Sequence, residues 1–356
     1  MRYKHIDIAK GIIILLIVFG HSPIIRLIPG LNEILLSFRL PVFFFLAGLF
    51  FKHKKSILST IIDKSDVLLK PFFHTLIVLG FIKIIVQGID PIHYFAGVIY
   101  GNGTTLPATW SPLWFLPHLW AIFVFCRCYI GLTKIEDKPI HLQIILPFTL
   151  LVAGYYAIHI FSRVTIELFG RVLIAQGLPF SLDIVFLSSF YFLMGFLLRE
   201  RAIHFAFRFN LLLLAFSAFV AIHLLLDFST NFNLRIYDHP VLCTLAAISM
   251  IYVVLSVSTL LSRVRLLSAV LTYIGSRSLF LLIFHNAFMW WSLMLLDKLN
   301  DRYYLLNAFF ALIAGSVLPL LIRDIVKGNS YFSLLLLPLK NNPAFLRMRR
   351  VSRFFA

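Results

Sequence analysis

Charge is scarce in this chain of 356 residues: 13% are Asp, Glu, Lys or Arg, and only 15 are acidic. Soluble domains carry about 25% charged residues, so a water-soluble globular domain is excluded. Cysteine is scarce too. Cys126, Cys128 and Cys243 make neither an even disulfide framework nor a metal-type C-x-x-C pair, and they fall in or beside apolar stretches, where they read as packing residues. No Walker loop, G-x-S-x-G elbow or H-E-x-x-H helix occurs, and no helix carries a regular histidine pair for haem. No metal is therefore expected. Long polar linkers are missing as well, which leaves no room for an extramembrane domain.

Apolar residues fill the space instead. The chain is 60% hydrophobic and 16% aromatic, with mean hydropathy +0.93. A membrane-crossing helix needs about 20 mostly apolar residues. Ten such runs are present, over 11–28, 34–51, 67–88, 111–130, 140–160, 178–198, 209–226, 239–261, 270–293 and 303–322. The expected fold is an all-α integral membrane protein, a single bundle of about ten transmembrane helices. The membrane domain is expected over 1–326, with a basic, partly interfacial tail over 327–356. In that tail the apolar stretch Ser330 to Leu339 is too short to cross and is followed by Arg347, Arg349, Arg350 and Arg353.

The net charge of +17 would suggest nucleic acid in a soluble protein. Here the basic residues sit in short gaps between apolar runs, so no nucleic acid partner is expected. With the N-terminus placed in the cytoplasm, 23 of the 32 Lys and Arg fall on the inner side and six on the outer side, and both termini are then cytoplasmic. The first run is read as a span and not a signal peptide, because no small-residue cleavage site follows it before His21, Pro23 and Arg26.

Ionisable groups at membrane depth cost about 2.5–3.5 kcal/mol each on insertion scales, which marks them as site candidates. On a helix, Asp7, Lys10 and His21 share one stripe: at about 100° per residue, Lys10 and His21 differ by about 20°. His21 would lie about 16 Å beyond Lys10, near the bilayer midplane. An imidazole there suits taking a proton from a hydroxyl, and Lys10 at the inner rim suits an anionic group arriving from the cytoplasm. Each has a plainer reading. His21 could bond a neighbouring helix, Asp7 could favour the helix N-terminus, and Lys10 could anchor at the interface.

Further polar groups gather towards the outer half: Arg39, His118, Asp183 and His285. A second substrate could lie there. Arg39 and Asp183, near span ends, also read as interfacial or paired residues, and His118, after Pro117, as satisfying a broken turn. Trp114 and the other tryptophans read first as an aromatic belt, although such rings also stack on sugars.

The opening Arg2-x-x-x-x-Asp7-x-x-Lys10-Gly11, then apolar residues to Gly20-His21, resembles the start of the acyltransferase family 3 membrane proteins. That family shows a basic residue, ten residues, then His. Phe38-Arg39-Leu-Pro41-Val-Phe-Phe-Phe-Leu-Ala47-Gly48 is similar to its F-x-x-P-x-F-F-F-x-S-G stretch, Leu113-Trp114-Phe115-Leu116 to its L-W-F-L, and Gly275-Ser-Arg277-Ser278-Leu to its G-x-x-S-L, with His285 following. Ala47 stands where Ser is common, and a basic pair near the third span is found only as Lys64 and Lys70.

The resemblance implies ten spans in a bacterial inner membrane. It also implies an enzyme that moves acetyl from cytoplasmic acetyl-CoA to a hydroxyl of an extracytoplasmic glycan such as lipopolysaccharide or capsule. His21 would be the essential residue, acting as general base or brief acyl carrier. Lys10, with Lys64 and Lys70, would hold the CoA phosphates, and Arg39, Trp114, His118 and His285 would face the acceptor. Two rival readings remain: a transporter or flippase for a glycan or lipid-linked intermediate, and a membrane scaffold or sensor without chemistry.

Overall fold

The computed structural model describes residues 3–168, 170–339, 342 and 345. Arg2, Arg347, Arg349, Arg350 and Arg353 lie outside the described residues. The protein is 79% helical with almost no sheet. Its first half contains α1 (Lys4–Phe19), α2 (Pro29–Gly48), α3 (Ile57–Lys64), α4 (Lys70–Gln87), α5 (Pro91–Tyr100), α6 (Phe115–Thr133) and α7 (Ile140–Ile160). A hairpin of β1 (Val164–Leu168) and β2 (Arg171–Ala175) leads to α8 (Val185–Leu197), α9 (Arg199–Ile203) and α10 (Phe209–Leu225). A second small hairpin, β3 (Thr230–Asn231) with β4 (Ile236–Tyr237), precedes α11 (Pro240–Leu261), α12 (Arg265–Gly275), α13 (Ser278–Leu299), α14 (Tyr304–Gly328) and α15 (Ser330–Leu336).

Among the described residues, eight helical segments are long and apolar enough to cross a membrane. α1 and α10, with 16 and 17 residues, are helices of only about 25 Å, short of the roughly 30 Å hydrocarbon core. The chain is a multi-pass membrane protein, and its surface agrees. Ile85, Val86, Leu224 and Leu225 are each at least three-quarters exposed, as lipid-facing side chains are.

Hydropathy placed the runs and missed the backbone breaks. The first helix starts at Lys4 and stops at Phe19, so His21 sits in the turn that follows it, where its N–H bonds the Val18 carbonyl at 3.1 Å. The ninth run divides at Ser276 and Arg277 into α12 and α13. The third begins inside a longer helical stretch with a π turn at Ser65–Leu69.

Small residues let the central helices touch backbone to backbone, the usual device where lipid supplies no hydrophobic drive between helices. A Cβ on Gly275 would meet the Asp7 carbonyl oxygen at 2.0 Å, and one on Gly11 the Leu271 carbonyl oxygen at 2.3 Å, which locks α1 onto α12. Gly48 and Gly195 do the same reciprocally for α2 and α8. As a result α1 is held at the centre, packed by α2, α11, α12 and α13.

Candidate active site

Two cavities lie along α1 and α2. The first, about 360 Å³, is lined by Asp7 and Lys10 of α1, Phe43 and Ala47 of α2, Phe50 just beyond it, Lys64 at the end of α3, and Ser276 and Ser278. Lys10 lies 5.0 Å from the Phe50 ring and Lys64 3.4 Å from the Phe123 ring, so both ammonium groups rest on aromatic faces beside the opening. A neighbouring cavity of about 280 Å³ shares Phe50 and Lys64 and adds Lys52, Asp66 and the ion pair of Lys55 with Asp63. Together the two cavities set Lys10, Lys52, Lys55 and Lys64 against Asp7, Asp63 and Asp66, and this basic cleft keeps an excess of positive charge that suits phosphates.

The second cavity, about 160 Å³, is lined by His21 in the turn after α1, Asn32 and Arg39 of α2, Ser111, Trp114 and Phe115, and Asn231 and Asn233 of the β3–β4 hairpin. His21 Nδ1 lies 2.8 Å from the Ile17 carbonyl oxygen. A carbonyl can only accept, so Nδ1 carries the proton and the neutral ring keeps its lone pair on Nε2. His285 repeats the arrangement. Its Nδ1 donates to the Leu281 carbonyl at 2.7 Å, its Nε2 is buried without a partner, and its ring meets that of His21 edge-on with centroids 5.1 Å apart. His285, which stands beside the cavity without lining it, is the eighth of 22 residues in α13, and Arg39 is the eleventh of 20 in α2, so both lie well inside their helices.

Three buried polar atoms of the lining residues lack partners: Arg39 Nη1, Asn32 Oδ1 and Asn233 Oδ1. Buried polar atoms are nearly always paired, and three of the seventeen exceptions among the described residues belong to this lining. Arg39 is 6% exposed, and its guanidinium fills the space above Gly20, where any Cβ would meet Nη1. The cavity therefore offers one cation, two amide oxygens, a hydroxyl and an indole, a set that matches the hydroxyls and faces of a sugar.

Tertiary clamps position this lining. Asn286 Nδ2 donates to the Ala108 and Thr109 carbonyls at 3.2 and 3.0 Å, holding the 3-10 segment that carries Ser111 and Trp114. Asp183 and Arg235 form a fully buried ion pair at 2.8 Å, and Arg235 Nη1 also donates to the Asn233 carbonyl. That fixes the hairpin over the cavity. Asp183 is thus the paired residue its position led one to expect.

The remaining predicted residues lie elsewhere. His118 is fully buried, bonded to Ser188 Oγ at 2.9 Å and tilted against Trp114; it stands behind the cavity wall without lining it. Lys70 binds Asp66 at 2.5 Å and the Leu337 carbonyl at 2.6 Å, off the basic cleft. Asn32, Ser111, Asn231 and Asn233 escaped the sequence reading, because uncharged polar residues at the ends of apolar runs or between them carry no signal until the chain folds.

Comparison with known families decides the class of protein. An acyltransferase-domain family profile matches residues 3–322, nearly the whole chain. The chain belongs to acyltransferase family 3. This membrane acyltransferase is thereby separated from the transporter and scaffold readings, and the profile covers both cavities. No curated protein and no solved structure gave a significant match.

Proposed function

We propose that this acyltransferase moves an acetyl group from acetyl-CoA to a hydroxyl of an extracytoplasmic surface glycan in a bacterial inner membrane. The donor enters the basic cleft from the cytoplasm, where Lys10, Lys64 and Lys52 meet its phosphates while Lys55 is engaged by Asp63. The glycan enters the opposite cavity, against Asn32, Asn233, Ser111 and Trp114. Lys70, tied to Asp66, steadies the neighbouring turn and leaves the phosphates to the other lysines.

The observation that carries the reading is the fixed tautomer of His21 in a cavity that also holds an unpartnered guanidinium. Nε2 takes the proton from the sugar hydroxyl as its oxygen attacks the thioester carbonyl. Arg39 Nη1 donates to the carbonyl oxygen as negative charge gathers there. The carbon–sulfur bond then breaks, the CoA thiolate takes the proton from His21, and the products are the O-acetyl ester and free CoA. His285, packed on the His21 ring, keeps it in place.

The test is His21→Gln. With protein levels normal, surface glycans examined by mass spectrometry should lose about 42 Da per acetylated site. An unchanged acetyl content sinks the proposal.

A further inference from the structure

The two cavities are stacked along the same helices. On α2, Leu40 lines the amide-rich cavity and Phe43 the basic one; on α13, Leu282 lines the former and Ser278 the latter. At about 1.5 Å per residue these limits are only about 4.5 and 6 Å apart. Between them stand two rings. Phe43 on the basic side meets Phe115 on the amide side edge-to-face, with centroids 4.9 Å apart and planes at 86°. Phe115 is also stacked on the fully buried Phe44 at 5.5 Å and is itself 3% exposed, so it is held by the core. Phe43 is half-buried, with one face on the basic cavity. One leaf is anchored and the other has room to turn.

We propose that the Phe43–Phe115 pair is the partition between donor and acceptor cavities, that the acyl end of the donor passes it to reach His21, and that it restricts transfer to short acyl groups. The proposal rests on the reading that the donor occupies the basic side and the acceptor the amide side. The physical reason is space. A two-carbon acyl group adds one methyl beyond its carbonyl, whereas each further methylene must lie against the rings, and a methylene misfit in an apolar slot discriminates by about 10-fold or more. Truncating Phe43 to Ala removes six ring carbons, room for a chain of about that length.

Two measurements test this in membranes containing the full chain. In the first, acetyl-, butyryl- and hexanoyl-CoA are supplied in turn and the acyl mass on the membranes' own glycan is recorded. Phe43→Ala should raise hexanoyl relative to acetyl transfer about 10-fold or more, with Phe43→Leu intermediate. Retained acetyl transfer with an unchanged ratio overturns the proposal. Should Phe43→Ala fail to accumulate, Phe43→Leu is judged by the same ratio.

The second measurement needs no catalysis. Ala47→Cys, in a chain with Cys126, Cys128 and Cys243 replaced by Ala, places one thiol in the basic cavity. Sealed vesicles of each orientation are treated with the membrane-impermeant reagent methanethiosulfonate ethylsulfonate. With Phe43 present the thiol should react from one face, and with Phe43→Ala from both. Reaction from one face in both backgrounds overturns the partition. If the wild-type chain transfers no acyl group from any CoA, the functional reading fails, and this labelling alone decides the partition.

Discussion

The basic cleft and the amide-lined cavity hold their polar groups in opposite ways. In the cleft, Lys10 in the middle of α1 and Lys64 at the end of α3 extend long side chains, each resting on an aromatic ring beside open space. In the cavity, Arg39, Asn32 and Asn233 keep polar atoms buried and unpartnered, and the clamps on the lining, Arg235 with Asp183 and Asn286 with Ala108 and Thr109, join elements far apart in the chain. The first arrangement costs little and tolerates a mobile, highly charged ligand. The second leaves hydrogen-bonding capacity unmet until a ligand meets it, as a site selective for one shape of polar molecule requires.

The largest effect expected tests where chemistry resides. His21→Gln removes the lone pair on Nε2, and transfer should fall about 10²–10⁴-fold in membranes supplied with acetyl-CoA, while equilibrium binding of CoA in the adjoining cleft stays unchanged. A loss of CoA binding instead would merge the two regions into one site.

Next is the dependence of the amide cavity on remote clamps. Asp183→Ala leaves the Arg235 guanidinium buried without its counter-charge, at a cost of about 3–5 kcal/mol. The melting temperature in detergent should drop, and in the surviving folded protein the acceptor KM should rise while the donor KM holds. Equal changes in both constants would break the division.

A smaller effect is expected in the cleft itself. Lys64→Ala removes a charged contact to a phosphate, about 1.5–3 kcal/mol, so the donor KM should rise about 10-fold or more with the acceptor KM unchanged. The smallest effect belongs to a neutral amide. Asn32→Ala should raise the acceptor KM about 2- to 10-fold, matching the 0.5–1.5 kcal/mol of an ordinary hydrogen bond, and should leave the donor KM alone. Steady-state kinetics with each substrate varied separately checks both.

Much of the fold was legible because lipid imposes a simple rule, that a crossing segment must be apolar and satisfy its own backbone. Each of the ten runs contains a helix. The breaks after Phe19, at Ser276 and at Ser65 were not legible, since hydropathy counts side chains and is blind to where backbone bonding changes. Within the site, Lys10 and His21 stood out as polar residues in an apolar stretch, and the folded chain places them on separate cavities, Lys10 on the first helix and His21 in the turn after it. Lys70 and His118 stood out equally, but neighbours distant in sequence, Leu337 and Ser188, engage them.

By itself the sequence determined a membrane-embedded helical chain, a basic side, and a histidine in its first apolar stretch, because each of these follows from local composition and the cost of polar groups in lipid. Only the tertiary structure decided which polar groups stay unsatisfied. Whether Arg39 or Asp183 finds a partner depends on which helices and hairpins the glycine contacts bring within about 3 Å, the reach of a hydrogen bond.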